Sequence, residues 1–123
     1  MQNHNLKFKT SLRERAYKYA IKMIQFLDTL QKDLSIQIIA KQLLRSSTSI
    51  GANIVEAKAS SSRRDFTNFM THSLKSANES LFWLGLLKDA KKIENQQLDY
   101  LLEETQELAN ILGASILTLK NKR

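Results

Sequence analysis

No proline interrupts this chain of 123 residues, and its three glycines, Gly51, Gly85 and Gly113, all fall inside stretches of helical periodicity rather than between them. A β-sandwich or barrel of this length needs many tight reversals, and proline and glycine are the residues that make them. The remaining composition is rich in Leu, Ile, Ala, Lys, Gln, Glu and Ser, most of them good helix formers. An all-α fold in one domain is therefore expected over residues 1–123.

Four helical patterns follow. The first spans about residues 11–31. It opens on Ser11 as cap with Glu14 at the third helical position, and carries Leu12, Ala16, Tyr19, Ala20, Met23, Leu27 and Leu30 on one face. Tyr17, Ile21 and Ile24 form a second apolar stripe, wider than a small bundle needs, which suggests a partner helix from another subunit or a broad core face. The second helix, about 36–59, is expected to start from a Ser35 cap with Leu34 stapled to Ile39. Its stripe of Ile39, Leu43, Ser47, Ile50, Ile54 and Ala57 runs through the segment SSTSIGAN without losing phase, so that segment is helix, not linker. The third, about 63–91, is capped by Ser62, and the fourth, about 96–120, by Asn95. Short connections between four such helices give an antiparallel up-down-up-down bundle.

Helical glycine costs about 1 kcal/mol against alanine. Its placement at Gly51, Gly85 and Gly113 is thus expected to serve close helix packing. Ser46, Ser49 and Asn53 share a face near Gly51, which makes the second helix a narrow, partly polar contact surface. Asn53 and Glu56 are spaced to face a neighbouring helix.

Charge gives the first functional hint. Nineteen Lys and Arg oppose twelve Asp and Glu, for a net +7. The excess lies in residues 1–92, whereas residues 93–123 hold three basic and five acidic side chains. Such a balance favours a polyanionic partner. Arg15, Lys18 and Lys22 form a stripe along the first helix, and Lys41, Lys58, Arg63 and Arg64 flank the second and third. These seven are the candidate phosphate contacts. Reversing the first-helix stripe is expected to weaken binding without unfolding the bundle. Arg45 is assigned instead to an internal ion pair with Glu56, Asp65 or Glu79. Phe66, Phe69, Phe82 and Trp83 fit a core or subunit interface, leaving Tyr17 as the aromatic available for a surface contact.

Several chemistries are excluded or unsupported. There is no cysteine, hence no disulfide, thiol nucleophile or cysteine-bound zinc. Neither Glu56 nor Glu79 is followed three residues on by the histidine of a di-metal bundle, and no nucleophilic triad spacing or phosphate loop occurs. A non-enzymatic protein without cofactor or metal is expected. The longest apolar run, Leu81 to Leu87, is too short to cross a membrane, and the start lacks a signal-peptide core. A soluble, cytoplasmic protein is the expectation.

The segments LLRSSTSIGANIVEA, SSSRRDFTNFM and SLKSANESLFWLGLL resemble the four-helix-bundle family encoded by intervening sequences of bacterial 23S ribosomal RNA genes, which is related to accessory proteins of diversity-generating retroelements. The pattern falls on Arg45, Ser46, Ala52, Asn53, Glu56, the pair Asp65–Phe66, and Glu79. It departs at Ala57, where the family usually has glycine. The resemblance implies structural polar contacts at Arg45, Ser46, Asn53, Glu56, Asp65 and Glu79. It also implies a ring-forming homopentamer with a basic surface and an association with nucleic acid. Two functions follow as expectations: an oligomer that binds RNA, or less favourably DNA, through phosphates, or a module that docks an acidic protein such as a polymerase or processing factor.

Overall fold

The computed structural model describes residues 11–91 and 93–121. Four helices fill it: α1 (Leu12–Leu27), α2 (Leu34–Ala59), α3 (Arg63–Ala90) and α4 (Gln96–Asn121). Each packs on its neighbour in the chain and α4 closes on α1, with no backbone approach across the diagonals among the described residues. The order around the bundle is therefore α1–α2–α3–α4. Paired residues run in opposite senses across these seams: Ser46 meets Ser80 and Ile50 meets Ser73 between α2 and α3, and Lys22 sits over Tyr100 while Arg15 meets Glu104 and Glu107. The bundle is antiparallel.

The helix starts follow from capping. The Ser11 hydroxyl accepts the Glu14 N–H at 3.0 Å, Ser62 accepts from Asp65 at 3.1 Å, and Asn95 Oδ1 accepts from Leu98 at 2.7 Å. The start of α2 differs from expectation. Asp33, not Ser35, is the cap, and its Oδ1 accepts the Ile36 N–H at 3.0 Å. A carboxylate is a stronger acceptor than a hydroxyl and is favoured by the positive end of the helix, so the helix begins two residues earlier. The Ile36 N–H, with Lys91 as a lesser contributor, holds the Asp33 carboxyl below its ordinary range. Ser35 donates to that carboxylate instead, and Leu34 stands 74% exposed, so it staples nothing. The end of α1 also differs. Thr29 Oγ1 and the Thr29 N–H both claim the Phe26 carbonyl, which closes a turn and stops the helix at Leu27.

The core holds Ala16, Tyr19, Met23 and Phe26 of α1 against Leu43, Ile50 and Ile54 of α2, Ala77, Leu84 and Leu87 of α3, and Leu98, Leu101, Leu108 and Leu112 of α4. Phe26 takes the buried place the periodicity gave to Leu27, which packs only partly. The second apolar stripe of α1 lies outside the core: Tyr17 is 69% exposed, and Ile21 and Ile24 are also exposed. Phe82 is likewise exposed, its ring edge-on to Trp83 at 5.0 Å.

Of the three glycines, Gly51 alone sits at a close helix approach. A Cβ built there would lie 3.4 Å from the Ala16 Cβ and 3.8 Å from its carbonyl carbon. At Gly85 and Gly113 a Cβ would meet nothing within 4 Å, so the close packing expected there is not found among the described residues.

Candidate nucleic-acid interface

The seven candidate phosphate contacts fall into two groups. Arg15 is committed internally. Its Nε donates to Glu104 Oε2 at 2.6 Å and its Nη2 to Oε1 at 2.9 Å, a bidentate clamp between α1 and α4, with Glu107 3.8 Å away. The Glu104 hydrogen bond raises the Arg15 guanidinium above its ordinary value. Lys22 lies over the Tyr100 ring, 5.4 Å from its centroid. Of the α1 stripe, Lys18 remains exposed with no ion pair among the described residues. Lys41, Lys58 and Arg64 are exposed in the same way. Arg63 is exposed, and its Nη2 donates to the Leu119 carbonyl at 3.1 Å, tying the start of α3 to the end of α4. The acidic last quarter of the sequence thus neutralises Arg15 across the α1–α4 seam.

The six structural polar residues also divide. Arg45 pairs with Glu79 at 2.6 Å, and Trp83 Nε1 donates to the same Glu79 oxygen at 2.9 Å. Ser46 is fully buried and bonds Ser80 at 2.8 Å. Asn53 does not reach a neighbouring helix; its Nδ2 donates to the Ser49 carbonyl one turn back, at 2.9 Å. Glu56 and Asp65 are exposed, with no side-chain bond to another helix among the described residues.

Periodicity alone missed a polar layer that crosses the core. The Tyr19 hydroxyl lies 2.6 Å from Thr105 Oγ1, and the Ser80 hydroxyl faces the same phenol. Ser80 in turn bonds Ser46, and Thr105 donates to the Leu101 carbonyl. One side chain from each helix takes part, and no buried side-chain polar atom among the described residues lacks a partner. The signal was present as hydroxyls at core positions of α1 and α4, hidden because Tyr and Thr also read as apolar. Such a layer ties the register of the four helices together, since sliding any one by a turn would strand buried hydroxyls.

Burial pushes the Tyr19 phenol up to about 12, against the opposing pull of the Thr105 and Ser80 hydroxyls. Below pH 10 the phenol is neutral whether the chain is folded or not. Above it the unfolded chain ionises first, so stability should fall as pH rises from about 10 to about 12, by roughly 2–3 kcal/mol in all. Tyr19→Phe should remove this alkaline loss. Urea midpoints across that range check it, and parallel pH profiles for the two proteins would refute it.

Beside Gly51, α1 and α2 part to leave an open groove of about 580 Å³, lined by Ala16, Tyr17, Ala20, Gly51, Ala52 and Val55 among others. It adjoins the exposed Tyr17, Ile21 and Ile24. Among the described residues no group of three or more His, Cys, Asp or Glu side chains is placed to hold a metal ion. No described helix is long and apolar enough to cross a membrane. His72 is exposed on α3, and His4 lies outside the described residues.

Fold and surface together define a class: an antiparallel four-helix bundle with a satisfied polar layer inside and unpaired cations outside. The profile of the 23S rRNA-intervening sequence protein family matches residues 9–114, and the chain belongs to that family. The fold is similar to a solved structure described as a protein with unknown function from the S23 ribosomal protein family of Bacteroides thetaiotaomicron. That match has a TM-score of 0.78 at 33% identity and covers 86% of this chain and 98% of the other. No curated protein matches the chain.

Proposed function

We propose that this protein is a non-enzymatic, homo-oligomeric bundle that binds nucleic acid, RNA in preference to DNA, through phosphate contacts in the cytoplasm. The observation that carries the reading is the set of exposed cations left after internal pairing. Arg15, Arg45, Lys88 and Lys91 are held by carboxylates, whereas Lys18, Lys41, Lys58, Arg64 and Lys75 stand exposed with no ion pair among the described residues. Cations in this state release counterions on meeting a phosphate backbone. The family's description ties its members to 23S rRNA genes, which supports RNA among the polyanions. Self-association is supported by the exposed stripe of Tyr17, Ile21 and Ile24 beside the α1–α2 groove, and the family resemblance favours a pentamer. A ring of copies would repeat weak phosphate contacts and raise their combined affinity.

That same stripe favours a second reading, a docking module for a protein partner with acidic character. Titration of labelled structured RNA, single-stranded RNA and duplex DNA across a salt series separates the two. Binding that weakens steeply with salt, strongest for RNA, is the expected result. Absence of binding to every probe at low salt would leave the protein-docking reading in place.

A further inference from the structure

We propose that phosphates are read at one end of the bundle, the pole where α2 turns into α3 and α4 ends, rather than along α1; this rests on the nucleic-acid reading above. The antiparallel order brings the end of α2, the start of α3 and the end of α4 to this pole. Exposed Lys58, Arg63, Arg64 and Lys120 gather there from three helices, against two exposed carboxylates, Glu56 and Asp65. In the sequence, Lys122 and Arg123 follow α4 directly. At the opposite pole the balance reverses: Asp28, Asp33, Asp89, Glu94 and Asp99 oppose Lys32, Lys88 and Lys91 among the described residues, and Lys92 follows Lys91 in the sequence. Lys88 and Lys91 are moreover spent on Asp99 at 3.2 Å and Asp33 at 3.4 Å. The bundle thus carries an axial charge dipole that the linear charge count does not display.

Two features suit the basic pole to a phosphate backbone. The bond from Arg63 Nη2 to the Leu119 carbonyl holds that guanidinium in place while using one of its five N–H donors. A positioned fork loses less freedom on binding than a free one. The flank of α1 offers less, because Arg15 is clamped by Glu104 and Lys22 is seated on Tyr100. The acidic pole would repel the same ligand, so a strand should approach from the basic end.

The test compares two double variants of equal charge change, Lys58→Glu with Arg64→Glu at the pole, and Lys32→Glu with Lys88→Glu at the opposite one. Binding of a labelled single-stranded RNA and a labelled RNA duplex is followed by anisotropy over a salt series. Each phosphate contact is worth about half a decade in affinity over a moderate salt range, so the pole variant should lose about tenfold or more and its salt slope should fall by about two. The off-pole variant should stay within about threefold of the unmutated protein. Lys58→Gln with Arg64→Gln provides a pole variant without charge reversal, and it should show the same ranking. Equal losses in the pole and off-pole variants would overturn the polar reading while leaving nucleic-acid binding standing. Failure of the unmutated protein to bind either probe would overturn both.

Discussion

Gly51→Leu should lower the unfolding midpoint by roughly 10 °C, equivalent to about 2–3 kcal/mol for a domain of this size. A Cβ at this position already touches Ala16 at 3.4 Å, and the next carbons of leucine would enter the backbone of α1. Overpacking of this kind costs about 1–3 kcal/mol or more, which exceeds the gain of somewhat under 1 kcal/mol from replacing a helical glycine. Gly85→Ala makes the contrast. Nothing lies within 4 Å of its built Cβ, so only the helix propensity changes and the protein should gain about 0.5–1 kcal/mol. Thermal unfolding of both variants checks the pair. An unchanged midpoint for Gly51→Leu would refute the close approach of α1 and α2. A loss of stability in Gly85→Ala would place that glycine in a contact between copies.

Arg15→Glu should destabilise the bundle by about 3 kcal/mol, because it leaves a mostly buried carboxylate facing another. The Glu104 side chain is only 13% exposed and depends on Arg15 for two hydrogen bonds. Exchanging the pair, Arg15→Glu with Glu104→Arg, should recover part of the loss. Urea unfolding decides the matter, and a cost below about 0.5 kcal/mol would mean that solvent screens the pair as it does exposed ones. Charge reversal along Arg15, Lys18 and Lys22 is consequently a poor probe of nucleic-acid binding, since its first member would loosen the fold. Lys58 and Arg64 give the cleaner test, as both are exposed with no ion pair among the described residues.

Much of the fold was legible because helix burial follows a period that sequence records directly. Leu98, Leu101, Leu108 and Leu112 of α4 and Leu43, Ile50 and Ile54 of α2 are buried where their spacing places them. The caps at Ser11, Ser62 and Asn95 were legible for a similar reason, since each bond spans three residues. Asp33 was missed because two acceptors stood two residues apart, and the choice between them depended on charge at the helix end. The candidate site was less legible. Arg45 and Glu79 are 34 residues apart in sequence, Arg15 and Glu104 are 89 apart, and periodicity carries no information about such pairs.

By itself, the sequence determined the helical class, the number of helices, their apolar faces and the net charge of +7. Each is set by local propensity, periodic spacing or simple addition. Only the tertiary structure decided which cations remain available. Folding α4 against α1 placed Glu104 and Tyr100 beneath Arg15 and Lys22, and the antiparallel turns gathered Lys58, Arg63 and Arg64 at one pole. The physical reason is that charge neutralisation acts through space over a few ångströms, whereas sequence orders the same charges along a chain that doubles back three times.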